Sequence, residues 1–332
     1  GEMVAMDLSP LAGSGSVLRL VGKLPAGLRF NPATGQITGQ LLGLPGSYPV
    51  QIQELVNGRI VATQWLNFEI AAFPAGLLGG FEALLEDGTG TPRGIVRLTV
   101  AKAGQWTGSL DLMGASRRTS RGTFTLVNGA KASVNAVFPA ARGVSATTVS
   151  LLLDAATPLV TGSYVSGAES GNGRGFRLVD RSSSVPLTQK LTMILDAGAQ
   201  DGVAYPAGVG WARGTAGMTG AVSLNGSLGD GQSIKLGLKL SRTGQTVVWS
   251  QPYRNKSSYV GGILPLEGLG QPLPFPQRQV AGLHWFKAAD SRELSYEAGF
   301  ATPLVLAAAS SRWDTPSNAA NLATSLGLTN AL

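Results

Sequence analysis

Cysteine is absent from the 332 residues, and histidine occurs once, at His284. Without thiols the chain forms no disulfide, no thiolate metal site and no cysteine nucleophile. A zinc centre would have one histidine to draw on, so no metal and no cofactor is expected. Charged residues make up 14% of the chain and aromatic residues 7%. No apolar run approaches the roughly 18 residues of a membrane helix. The strands read too short, and the aromatics too few, for the girdles of an outer-membrane barrel, so the chain is not expected to span a membrane. The formal net charge is +7, yet residues 1–72 are neutral, with Glu2, Asp7, Glu54 and Glu69 against Arg19, Lys23, Arg29 and Arg59. Beyond them the one tight basic cluster is Arg117, Arg118 and Arg121. A nucleic-acid surface combines clustered bases with interleaved aromatics, so nucleic acid is not an expected partner.

What the chain does have is 46 glycines within a composition that is 43% apolar. Glycine supplies the positive φ angles of tight turns, and this mixture favours short strands over helices. A chain of this length is expected to divide into two or more domains. Gly1 stands directly before the strand-like Met3-Val4-Ala5-Met6, which reads as a cut from a longer protein.

Residues 24 to 39 read LPAGLRFNPATGQITG. Pro25 fixes φ and Gly27 permits a bend, which makes a corner. Asn31 to Gly35 reads as a hairpin tip, after which Gln36-Ile37-Thr38 resumes an extended segment. Tyr48, Val50 and Ile52 alternate with polar or proline positions, Asn57-Gly58 is a hairpin signal, and Leu66, Phe68 and Ile70 share a face. These segments describe a small all-β unit over 1–72.

Leu24 to Leu28, Asn31 to Gly35, Ile37 to Gly39 and Gly46 to Val50 together resemble the Ig-like domain of bacterial surface proteins, akin to cadherin-like and dystroglycan-type modules. The resemblance covers about a fifth of the chain and implies a β-sandwich outside the cell. The family often has Thr-Pro where this chain has Gln40-Leu41. The Asp-rich calcium motifs of cadherins are missing, so calcium bridging is not carried over.

From residue 73 to 306 the sequence is a series of period-two segments ending in Gly, Asn-Gly or Asp-Gly. Thr107 to Gly114 (TGSLDLMG) matches Thr219 to Gly226 (TGAVSLNG). Two related meanders, 79–166 and 200–300, are therefore expected. Pairing them into one antiparallel barrel or sandwich would remove their open edges. Asp230-Gly231, and Leu283 to Lys287 ahead of Tyr296 to Phe300, make this half loosely similar to Gly-rich β-domains that follow Ig-like modules in large verrucomicrobial and planctomycete surface proteins. Residues 307–332 read as a C-terminal tail, with a short helix expected from Asn318 to Leu328.

Chemistry-bearing residues are few. His284 lies between Leu283 and Trp285 with no Gly-x-Ser-x-Gly elbow in the chain, so a structural role is expected. Glu82, Glu86 and Asp87, and likewise Glu293 and Glu297, are read as solvated acids near hairpin tips. They are the residues a glycosidase-like carboxylate pair would use. Asp87 and Asp230 are candidate calcium ligands without the spacing of a calcium loop. Gly171 to Gly175 superficially resembles a phosphate-cradling loop and is read as a hairpin loop. Six tryptophans are spread along the chain. Trp211, Trp249 and Tyr253 are the candidates for stacking on sugar rings.

The expectation is a non-enzymatic structural, adhesion or assembly module of a bacterial extracellular or cell-surface protein. Its partners would be copies of itself, neighbouring domains, glycans or the cell envelope. The alternative is a carbohydrate-binding or accessory module of a polysaccharide-active protein.

Overall fold

The structure is a computed structural model that describes residues 3–102, 104–141, 143–179, 189–266, 279–293 and 295–313. Its period-two segments form antiparallel strands throughout, as the sequence pattern predicts. The expected helix from Asn318 to Leu328 lies outside the described residues.

The N-terminal unit is a sandwich of two three-stranded sheets. One sheet contains β1 (Met3–Asp7), β3 (Leu28–Asn31) and β4 (Gln36–Gln40), with β4 in the middle. The other contains β2 (Val17–Val21), β5 (Gly46–Val56) and β6 (Arg59–Ile70), with β5 in the middle. Leu8, Leu18, Leu28, Ile37 and Ile52 are buried between the sheets. The glycines of the 24–39 stretch have a steric reason. Gly27 (φ +88°) and Gly39 (φ +136°) face each other so closely that a Cβ on Gly39 would lie 2.1 Å from the Gly27 carbonyl oxygen. No other residue combines that approach with those angles.

Beyond the sandwich, a nine-stranded sheet winds nearly into a barrel. Its strands are β7 (Gly79–Asp87), β8 (Pro92–Val100), β9 (Gln105–Leu112), β10 (Arg118–Thr123), β11 (Thr125–Asn128), β12 (Lys131–Phe138), β13 (Thr147–Asp154), β14 (Leu159–Ser166) and β15 (Glu169–Arg177). The last strand returns to pair with the first, β15 with β7. Only Phe124 separates β10 from β11, so the two act as one bent strand that pairs first with β9 and then with β12. Side chains close the remaining seam. Ser120 Oγ donates to the Val137 carbonyl at 2.7 Å, and Arg118 donates to the carbonyls of Pro139 and Ser145.

A second sheet repeats the plan with eight strands: β16 (Gln189–Asp196), β17 (Gly210–Ala216), β18 (Ala221–Ser227), β19 (Ser233–Lys239), β20 (Gln245–Ser250), β21 (Tyr259–Pro265), β22 (Gln279–Phe286) and β23 (Leu304–Trp313). Here β16 pairs with β23, and Gln232 Nε2 bridges the seam by donating to the Pro252 carbonyl at 2.8 Å.

The expected pairing of two meanders into one barrel is thus corrected: each meander winds up on itself. The TGSLDLMG and TGAVSLNG stretches fall on β9 and β18, each the third strand of its sheet in chain order. The expected boundary at 306 falls inside β23, because that strand is needed to meet β16. An up-and-down barrel of about eight strands is just wide enough for side chains to fill its interior. Phe81, Val96, Leu110, Phe124, Val134, Phe138, Leu151 and Tyr164 fill the first. Leu195, Leu224, Leu236, Val260, Leu283, Trp285 and Leu306 fill the second. Apolar faces point to the axes, and the outward faces mix hydroxyl and charged side chains with exposed Val137, Val165, Ile194 and Val305.

The barrels meet through outward residues of both: Leu84, Ile95 and Phe176 against Val247, Trp249 and Tyr259. For this reason β7 is buried continuously from Phe81 to Glu86, with the barrel axis on one side and the second barrel on the other.

Candidate functional site

With both interiors filled, polar chemistry concentrates on outer faces. A hollow of about 580 Å³ lies on the outside of the first barrel over β8, β9 and β10. Strand register sets it in two rows. Arg97, Ser109 and Thr119 form one, and Thr99, Thr107 and Arg121 the other. Short hydroxyl side chains in the centre and long guanidinium side chains at the rim make the surface concave. Arg121 is exposed and has no ion pair or side-chain hydrogen bond among the described residues.

Arg97 is tied down on the opposite side. Its Nε lies 3.3 Å from Glu82 Oε1 and its Nη1 2.6 Å from Asp111 Oδ2, while Arg117 Nε reaches Asp111 Oδ1 at 2.8 Å. The two carboxyl groups behave oppositely. Burial pushes Glu82 up to about 7, against the pull of Arg97 and of Lys239 from the second barrel. Burial also acts on Asp111, but hydrogen bonds from Arg117 and Arg97 outweigh it and hold that carboxyl below its ordinary value.

A second polar group sits in the second barrel. Trp285 Nε1 donates to Tyr253 Oη at 3.0 Å, and Tyr253 Oη donates to Asp230 Oδ2 at 2.6 Å. Lys287 Nζ lies 4.7 Å from the centre of the Tyr253 ring and donates to the Ser295 carbonyl at 2.6 Å. It also lies 3.7 Å from Asp230 and 3.8 Å from Glu293. Burial and the Asp230 carboxylate raise the Tyr253 phenol well above its ordinary range. Its members are satisfied by one another, which is how a buried charge is tolerated.

The sequence-derived sugar-stacking set does not converge. Trp211 on β17 is 47% exposed, with the Arg213 guanidinium 5.9 Å from its ring centre. Trp249 is buried between the barrels, stacked on Tyr259 at 5.0 Å. Tyr253 is buried in the network just described. The grouping fails because β17 and β20 lie on different sides of the second barrel, a separation that closure imposes.

The acids are also placed differently from expectation. Glu82 and Glu86 are buried within β7 rather than solvated at a tip. Arg174 clasps Glu86 through Nε and Nη2 at 2.6 and 2.8 Å. Four residues of strand separate Glu82 from Glu86, roughly 13 Å, more than the roughly 5–9.5 Å of a glycosidase pair. Asp87 spends its oxygens on Thr89, Thr91 and Arg93, and Asp230 spends its own on Gln232 and Tyr253. Neither is free to bind calcium, and the described residues contain no cluster of three or more His, Cys, Asp or Glu able to hold a metal ion. Glu293 faces Lys287, whereas Glu297 is exposed. His284 lies half-buried on the outward side of β22. Burial lowers its pKa, with Glu86 and Asp87 of the first barrel pulling the other way. Gly171 to Gly175, read as a loop, belongs to β15 and pairs with both β14 and β7.

Sequence reasoning missed the rows around Arg97 and Arg121. Their signal was the period-two run of Thr and Ser in Thr107-Gly108-Ser109 and Thr119-Ser120-Arg121, which becomes a surface only once register is known. No family model and no curated protein matches the chain.

Proposed function

We propose that the chain is a structural and adhesive β-module of a bacterial extracellular or cell-surface protein. The observation that carries this reading is the filling of both barrel interiors with aliphatic and aromatic side chains, which leaves contact to the outer faces. The resemblance of residues 1–72 to the Ig-like modules of surface proteins supports the same assignment. So does the hollow over β8–β10. Hydroxyl rows flanked by guanidinium groups suit a hydroxylated, acidic polymer of a cell envelope, held by many weak contacts along a long protein.

The test is retention of the purified chain on immobilised dextran sulfate. Retention that weakens with salt, as contacts between exposed charges do, is expected. Arg121→Glu is expected to weaken it at least about tenfold, equivalent to roughly 1.4 kcal/mol. A chain that is not retained, and that stays monomeric at high concentration, would keep only the role of a spacer.

A further inference from the structure

Of the tryptophans whose side chains are described, Trp65 is the most exposed, at 68%. It stands on the outward face of the sheet formed by β2, β5 and β6. Pairing places Val21, Gln51 and Trp65 in one row across the sheet, and Arg19, Gln53 and Thr63 in the next. The polar members of these rows are ordered by one another. Arg19 Nε donates to Gln53 Oε1 at 3.1 Å, and Gln53 Nε2 donates to Gln51 Oε1 at 2.7 Å. That relay uses the oxygen of Gln51 and leaves its Nε2 group without a partner among the described residues, in the same row as Trp65. On the far side, Ser47 Oγ donates to Asn67 Oδ1 at 2.7 Å and Asn67 Nδ2 to Glu69 Oε1 at 2.5 Å.

Holding long amide side chains in one geometry on an exposed face costs conformational entropy and gains no core packing. The result is an uncovered indole with a fixed donor in its own row and a fixed acceptor roughly 13 Å along the strand. A pyranose ring has the matching chemistry, with a face of C–H groups and a rim of hydroxyls that both donate and accept. A protein partner needs about 1,200–2,000 Å² with an apolar centre. Here the indole and Val21 are parted from the other exposed apolar residues of this face, Val17 and Ile60, by the polar row of Arg19, Gln53 and Thr63, so no continuous apolar centre forms. The first barrel approaches the opposite sheet, where Thr123 Oγ1 donates to Gln40 Oε1 at 3.2 Å, so the Trp65 face is turned away from it.

We infer that this face binds a neutral polysaccharide strand. One pyranose ring stacks on Trp65, Gln51 Nε2 donates to a hydroxyl of that ring, and Glu69, four strand residues along, accepts from a hydroxyl of a neighbouring ring. The inference goes beyond the barrel-based adhesive reading and stands on different residues.

The experiment is calorimetric titration of the whole chain with cellohexaose, N-acetylchitohexaose and mannohexaose, with tryptophan fluorescence followed in parallel. Saturable binding of at least one sugar is expected. Trp65→Ala should weaken it roughly tenfold or more, by the usual conversion between affinity and free energy. Trp65→Phe should retain part of it, and Gln51→Ala should weaken it with an unchanged melting temperature. Arg121→Glu should leave sugar binding intact, and Trp65→Ala should leave dextran sulfate retention intact, so each reading can fail alone. The inference is overturned if none of the three sugars binds, or if Trp65→Ala binds as tightly as the parent. It is equally overturned if light scattering shows a dimer that Trp65→Ala abolishes, which would make the face a contact between copies.

Discussion

Glu82 shows most directly how surroundings rewrite a residue. A carboxyl at the outer surface of a single barrel would be hydrated, but the second barrel covers this one and its pKa rises from 4.5 to about 7. Because the folded value lies above the unfolded one, the folded state holds the proton more tightly. The associated stability is present in full below about pH 4.5 and is lost as pH rises to about 7, then levels off; the shift corresponds to roughly 3 kcal/mol. Glu82→Gln, which cannot ionise, should therefore melt close to the parent at pH 4.5 and above it at pH 8. Melting curves of the two proteins across that interval check the expectation, and parallel curves would contradict it. The sequence around Glu82 already carried a trace of its environment. Phe81-Glu82-Ala83-Leu84-Leu85-Glu86 breaks the period-two alternation of a half-buried strand through the Leu84-Leu85 doublet. That break identifies a strand covered on both faces but does not say by what.

Among the elements, β15 departs most from its sequence reading. Gly171, Gly173 and Gly175 suggested a loop, since glycine weakens a strand interior. In the fold they lie where β15 passes between β14 and β7; a Cβ on Gly173 would meet only ordinary contacts there, but Gly171 and Gly175 have no room for a side chain. A Cβ on Gly175 would stand 1.9 Å from the Glu82 carbonyl oxygen, and one on Gly171 would stand 2.0 Å from that of Glu86. These glycines let the last strand reach the first. Gly175→Ala should accordingly destabilise the first barrel by about 1–3 kcal/mol through displaced backbone. Hydrogen exchange should show the effect first in the amides of β7 and β15, with β17 to β19 of the second barrel unchanged. By contrast, β12, β13 and β18 were legible from sequence. Each has one buried and one exposed face, and alternation along the chain reports that situation directly.

At the scale of the whole molecule, two packed barrels share an aromatic junction. Trp249 and Tyr259 of the second barrel stack on each other and press on Leu84, Ile95 and Phe176 of the first. Trp249→Ala would leave a cavity costing about 3–5 kcal/mol. Its loss should fall on the coupling between the barrels rather than on either interior. Calorimetry is expected to show the unfolding of the parent splitting into separated transitions in the variant. A single transition shifted down would instead place Trp249 in the stability of the second barrel alone.

The sequence by itself determined the all-β class, most strand positions and the turn glycines. Alternation and positive-φ residues are local properties, written within a few positions of where they act. It also determined how poor the chain is in catalytic residue types. Only the tertiary structure decided that each meander winds up on itself, that Glu82 and Trp249 are buried at a junction, and which outward side chains form rows. Closure, coverage and register are relations between residues far apart in the chain, such as the pairing of Gly171 with Asp87 and of Lys190 with Trp313. A period of two marks which side chains share a face but leaves open which strand lies alongside. The Trp65 row and the Arg97–Arg121 hollow both arise from that second choice, which is why neither could be read along the chain.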